Sequence, residues 1–304
     1  MIHRNTTLLI IAAVMTWVHA ANAQHVHVIT NNDPAMLVAD GFKHGNIQWQ
    51  SSPDAINWTD ISGFTSDTIL FNPGNELTYY RARIESGSCP PVYSATRGIM
   101  RFNCGDTLVD ARDGRKYPTV QIGNQCWMGS NLNVGVMIQG IDNMSNDSII
   151  EKYCYENDTV SCNTYGALYQ WDEMMNYSTT PGAQGICPPG WHVPTDQEII
   201  TLETELGMPL AVANLSNIWR GTDEGTQLKQ GGTSGFNANL TGLRYDGGLF
   251  MSEGTFEFIW TSTTHFTNTT QAYRRCLNTT EPRIGRFNNT QKTMGASVRC
   301  LLNN

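Results

Sequence analysis

The chain has 304 residues, of which 15% are charged, and a formal net charge of −8 with a pI of about 5.3. This charge argues against a nucleic-acid partner, because binding to phosphates requires a basic surface. The charged fraction is below the roughly 25% of typical globular proteins. Asn, Thr, Ser and Gly take the place of charged residues. The composition fits an extracellular protein that hydrogen-bonds to neutral partners, and equally any soluble secreted surface.

An export signal is predicted at residues 1–23. Arg4 supplies a positive charge, residues 8–18 are mostly apolar, and an Ala-Asn-Ala cleavage site would leave Gln24 as the mature N-terminus. The apolar run is too short for a stable membrane-spanning helix, and no later stretch is suited to span a membrane. We therefore expect a secreted or cell-surface protein.

Residues 24–100 contain short β-prone segments separated by turns: "VHVI", "AMLVA", "NIQWQSS", "NWTDI", "DTILF", "TYYRARIES" and "PVYSATRGI". This spacing predicts an antiparallel β-sandwich. Trp49 alternates with Ile47, as expected for a core tryptophan, and Tyr79 and Tyr80 open the sixth segment. The stretches "WQSSPDAINWTDISG" and "TYYRARIESGSC" resemble the immunoglobulin-like modules of bacterial surface proteins.

Residues 101–304 form the second predicted module. Asp113-Gly114 and Gly123-Asn124 each interrupt β-prone residues and predict two hairpins. Asp110 and Asp113 are also candidate Ca²⁺ ligands. The turn interpretation is favoured, because the alternating Asp pattern and the distal Glu of an EF-hand loop are missing.

A short helix is predicted where Leu168, Trp171 and Met175 share one face. The pair Asp172-Glu173 points away from that face and is expected at a solvated edge.

A second helix is predicted after "CPPGWHVPT". Thr195 and Glu198 form a capping box, and an apolar stripe follows it at Ile199, Leu202 and Leu206. Trp191 and Val193 alternate as in a short strand, and His192 points the opposite way.

The remainder is again β-prone, with a hairpin around residues 246–248 and strands in "FEFIWTSTT", "QAYRRCLN", "RIGRFN" and "ASVRC".

The cysteines favour disulfides, because their number is even and the chain is predicted to be exported. They are Cys89, Cys104, Cys126, Cys154, Cys162, Cys187, Cys276 and Cys300. The chain has no C-x2-C pair, so we expect no zinc site.

Spacing predicts a local bridge between Cys154 and Cys162. Cys187 and His192 could form a catalytic pair, but only with Cys187 reduced. A bridge from Cys187 to Cys300 is favoured instead, since it would tie down the C-terminal segment.

The pairing of the other four cysteines is left open by the sequence. Cys104 is the nearest partner for Cys89, because the second strand of the front module holds no cysteine. Cys126 and Cys276 then remain as a third structural bridge.

A family resemblance covers about residues 106–301. The stretches "DARDGRKYPTVQIGNQCWMGSNLN", "YCYENDTVSCNTYGALYQWDEMM", "CPPGWHVPTDQEI", "GTSGFNANLTGLRYDGGLF", "WTSTT" and "GASVRC" occur in the order seen in the Fibrobacter succinogenes major paralogous domain family. This family is similar to the C-type-lectin-like and formylglycine-generating-enzyme folds. The resemblance implies an α+β C-type-lectin-like domain whose N- and C-terminal segments lie together. It also implies export or surface attachment in Bacteroidetes-type bacteria.

Three functions are compatible with these patterns. The first is a surface module that binds an extracellular protein or glycan, and the last third of the chain offers six candidate ligand-binding residues: Tyr245, Phe250, His265, Phe266, Arg283 and Arg286. For any one of these residues an ordinary strand position is the competing interpretation. Glu281-Pro282-Arg283 departs from the Glu-Pro-Asn of calcium-dependent lectins, which argues against calcium-dependent sugar binding.

The second function is an oxidase related to formylglycine-generating enzymes, which would need reactive cysteines able to hold copper. Cys126 and Cys276 are the candidates, and two free thiols would support this hypothesis. The third function is a purely structural or adhesive surface component. We expect a non-enzymatic binding protein with no cofactor and no metal, because the catalytic motifs of hydrolases, metalloproteases and nucleotide-binding enzymes are missing.

Overall fold

The computed structural model describes residues 26–30, 33–40 and 45–303. The export signal predicted at residues 1–23 lies outside the described residues. The front module contains β1 (Val26–Ile29), β2 (Ala35–Val38), β3 (Asn46–Ser52), β4 (Thr59–Asp60), β5 (Thr68–Phe71), β6 (Thr78–Glu85), β7 (Val92–Tyr93) and β8 (Arg97–Arg101).

The second module contains more and shorter elements. Its strands are β9 (Leu108–Val109), β10 (Lys116–Tyr117), β11 (Thr119–Ile122), β12 (Gln125–Met128), β13 (Val136–Met137), β14 (Glu151–Lys152), β15 (Trp191–His192), β16 (Ile218–Arg220), β17 (Leu243–Arg244), β18 (Phe250–Met251), β19 (Phe256–Thr264), β20 (Gln271–Asn278), β21 (Ile284–Gln291) and β22 (Leu301–Leu302). Its helices are α1 (Thr159–Tyr165), α2 (Trp171–Met174), α3 (Asp196–Glu205), α4 (Leu210–Ala213) and α5 (Glu224–Leu228), with a 3-10 turn at Tyr155–Asn157.

The front module has two layers. One sheet has the order β1-β8-β6-β3-β4, with β7 also paired to β6, and the antiparallel pair β2–β5 forms the other. Alternate residues of both layers share one apolar core around Trp49, whose indole Nε1 donates to Ser66 O at 2.9 Å. Trp49 is therefore the core tryptophan that the alternation with Ile47 indicates.

Two features of the front module differ from the predicted antiparallel arrangement. β1 runs parallel to β8, with Val26 opposite Gly98, and forms an edge of the sheet. The predicted segment at residues 91–99 is split into β7 and β8. Between them Ser94 turns its hydroxyl to the backbone N–H of Ala82, which interrupts the strand.

The second module is organised around α3. One face of this helix, including Ile199 and Leu202, is buried against residues of two separate four-stranded sheets. The sheets have the orders β11-β12-β22-β15 and β16-β21-β20-β19. The capping box predicted at Thr195 is present, since its hydroxyl accepts the Glu198 N–H and the Glu198 carboxylate accepts the Thr195 N–H.

The strand β22 lies between β12 and β15, with Leu301 opposite both Trp127 and His192. The last strand of the second module is thus held in one sheet with the early strands β11 and β12, so segments from near both ends of the module lie together, as the family resemblance implies. Trp191 and Val193 are fully buried beside it, whereas the His192 ring faces polar groups.

The predicted helix around Trp171 is shorter than its apolar spacing indicates. Leu168 pairs with Tyr153 in a β-bridge, and only the single turn α2 is helical. Glu173 is not at a solvated edge, because it is 3% exposed and accepts hydrogen bonds from the Glu151 N–H and the Tyr177 hydroxyl. Burial raises the pKa of Glu173 above its usual value.

The two modules pack directly on each other. Phe102, just after β8, makes an edge-on contact with Trp191, with ring centroids 5.5 Å apart. Gly190 has a φ of +84°, and a Cβ at this position would lie 2.8 Å from a methyl group of Val28. Gly190 therefore allows the front module to approach the second one closely.

Three disulfides are formed within the described residues, and two have the pairing expected from the sequence: Cys154–Cys162 and Cys187–Cys300. The third is Cys104–Cys126, so the predicted pairs Cys89–Cys104 and Cys126–Cys276 are wrong. Cys104 belongs to the second module and faces the β11–β12 hairpin. Cys89 is exposed and Cys276 is buried, and both are free thiols.

Candidate functional site

The first two candidate residues lie on the β17–β18 hairpin and differ in exposure. Tyr245 is 57% exposed. Phe250 is 8% exposed and packs against the ring of Tyr155, with centroids 5.4 Å apart. Phe250 is thus committed to the interior.

His265 and Phe266 are at the turn between β19 and β20. Their rings stack with centroids 4.7 Å apart, and Phe266 is 80% exposed. This pair is accessible to solvent.

Arg283 and Arg286 have different environments although they are close in the chain. Arg283 is exposed and pairs with Glu281 at 2.7 Å. Arg286 is buried, and its guanidinium donates to both carboxylate oxygens of Asp196. The six predicted residues therefore do not form one continuous surface.

The structure brings together a different set of residues, on one face of the sheet β16-β21-β20-β19. Trp219 lies opposite Gly285, Gly285 opposite Cys276, and Cys276 opposite Phe258. These four positions form a row across all four strands. Since side chains alternate along a strand, residues two positions away share this face.

Five side chains on this face are in a continuous series of ring contacts, which we call the aromatic ladder. Trp219 meets the ring of Phe287 edge-on at 6.3 Å, and Phe258 and Phe256 stack at 5.7 Å. Arg274 joins the two pairs, because its guanidinium carbon lies 4.8 Å from the Phe287 centroid and 4.7 Å from that of Phe258. Phe258 is buried and the other four are partly exposed.

Arg274 is unusual among the arginines of this sheet because no carboxylate neutralises it within the described residues. Its Nε donates to the Thr290 hydroxyl at 2.8 Å, while its buried Nη1 has no hydrogen-bond partner. Burial lowers the pKa of Arg274 below its usual value, although an arginine stays charged at neutral pH. The ladder thus has a positive charge at its centre, flanked by two ring faces.

Gly285 and Cys276 provide the space in which the ladder is built. A Cβ on Gly285 would lie 2.5 Å from the Phe287 ring, so only glycine lets this ring lie over the strand. Burial raises the pKa of Cys276 to about 11, so its thiol stays protonated at neutral pH. Cys276 is therefore a packing residue beneath the rings in this arrangement.

The opposite face of the same sheet is held by a buried ionic cluster. Glu203 accepts hydrogen bonds from Arg220 at 2.5 Å and Arg275 at 2.6 Å, and Asp196 accepts from Arg275 and Arg286 at 2.6 Å. Burial alone would raise the pKa of Asp196, but the two arginines outweigh burial and hold it below its ordinary value. Because α3 carries both acids, the cluster fixes the sheet to the helix.

A polar cavity of about 590 Å³ lies at the end of β20. It is lined by Thr226, Lys229, Gln230, Gly231, Gly232, Ala238, Asn239, Leu240, Thr279, Thr280 and Pro282. The Lys229 ammonium donates to three backbone carbonyls, those of Asn278, Thr279 and Glu281. All three N–H groups of this ammonium are used, so the cavity offers mainly neutral amides and hydroxyls.

The part of the chain that the structure describes contains no group of three or more His, Cys, Asp or Glu side chains arranged to hold a metal ion. Within the same residues no helix has the length and apolarity needed to cross a membrane.

Sequence reasoning missed all five ladder residues. Phe256 and Phe258 alternate in "FEFIW", which indicates a shared face, but the partner strands are distant in the chain. Only the register of four strands shows that Arg274 lies between two rings.

Fold and site together define a disulfide-linked, mostly β protein with an aromatic sheet face. The family model of the Fibrobacter succinogenes major domain matches residues 120–301, which is more than half of the chain. The chain belongs to this family. A second model, a domain of unknown function (DUF8696), matches residues 19–100.

Comparison with solved structures includes a fimbrial protein from Bacteroides ovatus ATCC 8483. It shares 10% identity, covers 92% of this chain and 69% of its own, and has a TM-score of 0.24. A TM-score this low establishes no common fold. No curated protein matches the chain.

Proposed function

We propose that the chain is an exported cell-surface binding protein that recognises an extracellular protein or glycan through the aromatic ladder. The observation that carries this proposal is the series Trp219–Phe287–Arg274–Phe258–Phe256, with ring contacts across all four strands of one sheet. Trp and Arg are enriched at the energetic centres of binding surfaces, and aromatic faces supply large contact area at a small cost in conformational entropy.

A location outside the cell is supported by the three disulfides, since such bonds form and persist in oxidising compartments. The predicted export signal at residues 1–23 is consistent with this location. An adhesive or structural role at the surface agrees with both features.

We further propose a C-type-lectin-like fold for the second module and an immunoglobulin-like fold for the front one. The position of β22 between β12 and β15 supports the former, because it places the C-terminal strand of the module beside one of its early strands. The two layers around Trp49 support the latter.

A non-enzymatic role is part of the proposal. The oxidase hypothesis requires a thiol pair, and the two candidates were Cys126 and Cys276. The structure does contain two free thiols, the number that this hypothesis asks for, but Cys126 is bonded to Cys104, and the free thiols Cys89 and Cys276 belong to different modules. This arrangement favours binding over thiol chemistry.

The proposal is tested by probing protein and glycan arrays with the secreted protein and two ladder variants, Trp219→Ala and Phe287→Ala. We expect the wild type to retain a defined set of ligands and both variants to lose them. Phe266→Ala is the matched control, because it removes an exposed ring outside the ladder.

Circular dichroism spectra of all variants must match the wild type for the comparison to count. Retention by the ladder variants together with loss in Phe266→Ala would place recognition at the β19–β20 turn. A wild type without any array ligand would favour the structural role instead.

A further inference from the structure

A second cavity, of about 740 Å³, is separate from the aromatic ladder. Its lining comes from three segments: the turn between β9 and β10, residues 134–136, and residues 148–150 together with Lys152. The charged side chains of the lining are Arg112, Asp113, Arg115 and Lys152. The cavity thus presents three cationic side chains and one carboxylate.

Two of these cations are already neutralised by neighbouring acids. Arg112 donates to both carboxylate oxygens of the buried Asp110, at 2.9 and 2.6 Å, and to Ile186 O. Arg115 pairs with Asp113 at 3.2 Å. The positive charge of the cavity that remains without a counter-ion is therefore that of Lys152.

Lys152 is held by neutral groups only. Its Nζ donates to the backbone carbonyl and to the side-chain Oδ1 of Asn133, each at 2.9 Å. Among the described residues, no carboxylate oxygen lies within ion-pair distance of it. An ammonium has three donors, so one remains after Asn133 has taken two.

The energetics of Lys152 agree with an incomplete site. Burial lowers its pKa to about 8, and the charge of Arg115 adds to this effect, while Asp113 opposes it. A charged group in a partly desolvated position gains most from a counter-ion, because the attraction is less screened there.

Two of the exposed residues in the lining are apolar. Val136 is 60% exposed and Ile149 is 54% exposed, and both line the opening. A ligand that reaches Lys152 with an anionic group would cover these side chains with its remaining part.

We propose that this cavity binds a small carboxylic acid with an apolar body, whose carboxylate accepts a hydrogen bond from Lys152 beside Arg115. One negative charge matches the one cation without a counter-ion, and the apolar body contacts Val136 and Ile149. The site is independent of the ladder, so either can fail without the other.

The test is isothermal titration of the full chain at pH 7 with benzoate as the probe. We expect saturable binding that Lys152→Met weakens by about tenfold or more, since a hydrogen bond to a charged group is lost. Benzamide, which has the same ring without the charge, should not bind. Lys116→Met is the matched control, because Lys116 is an exposed lysine on β10 outside the lining.

A second variant keeps the test informative if Lys152→Met does not fold. Val136→Trp fills the opening from an exposed position and should abolish binding while leaving Lys152 in place. Benzoate that fails to bind the wild type, or that binds Lys152→Met or Val136→Trp as tightly as the wild type, would overturn the proposal.

Discussion

Cys187 and Cys300 are bonded to each other across a sequence separation of 113 residues, and both are fully buried. Cys300 is followed directly by β22, the strand that joins β12 to β15. The bond therefore fixes the strand that connects β12 and β15 in their sheet.

Removing this bond should destabilise the protein more than removing Cys154–Cys162, whose separation is 8 residues. The chain-entropy model gives about 4.8 kcal/mol for the long loop and about 2.6 kcal/mol for the short one. We expect urea unfolding of the two double Cys→Ala variants to differ by about 2 kcal/mol. All four cysteines are buried, so the cavities left by the substitutions are similar. Equal losses would contradict the entropic explanation.

The two free cysteines should react differently with a thiol reagent. Cys89 is exposed and Cys276 is buried, so native, unreduced protein should show one accessible thiol and urea-unfolded, unreduced protein two. Cys89→Ser should abolish the native reaction. Two accessible thiols in the native state of the wild type would mean that the sheet around Cys276 is open in solution.

Stability should depend on pH through the pair His192 and Glu198, whose atoms Nε2 and Oε1 are 3.0 Å apart. Burial alone would lower the pKa of His192, but Glu198 outweighs burial and raises it above 6.5. Burial alone would raise the pKa of Glu198, but His192 outweighs burial and holds this pKa below 4.5.

The direction of the pH dependence follows from the raised pKa of His192 and the lowered pKa of Glu198. The stabilisation linked to His192 is complete below pH 6.5 and is lost as the pH rises through the folded-state pKa. The stabilisation linked to Glu198 is complete above pH 4.5 and is lost as the pH falls through the folded-state pKa of Glu198. The difference in unfolding free energy between wild type and His192→Gln should therefore be largest between these two values. A difference that does not vary with pH would show that the pair is uncharged.

Glu203→Gln should be strongly destabilising, by about 3–5 kcal/mol, because it leaves Arg220 and Arg275 with too little buried negative charge. Glu203 is fully buried between these arginines. Glu281→Gln is the control, since its partner Arg283 is exposed, and little change is expected. Thermal and urea unfolding measure the stability of the two variants. Similar behaviour of the two variants would mean that water reaches the cluster.

Local features of the fold were predictable from the sequence. The capping box at Thr195, the turns at Asp113-Gly114 and residues 246–248, and the bridge Cys154–Cys162 depend on residues a few positions apart. Their physical causes are complete within a short stretch, so a pattern is enough to indicate them.

Features that depend on distant contacts were not predictable in the same way. Cys104 is paired with Cys126 because the β11–β12 hairpin folds back on the start of the module, which spacing does not reveal. Glu173 is buried because the Glu151 N–H and the Tyr177 hydroxyl surround it, although helical periodicity places it outside. The burial of Arg286, predicted as a binding residue, was not predictable for the same reason, since its partner Asp196 lies 90 positions away.

The sheet β16-β21-β20-β19 has different interactions on its two sides, and this separation has a consequence for adaptation. Helix α3 anchors one side by ion pairs to three strands. Substitutions at Trp219 or Phe287, on the other side, leave those anchors untouched. A lineage that exchanges these rings could acquire new recognition properties at little risk to foldability. A library randomised at the two positions offers a route to engineered specificity.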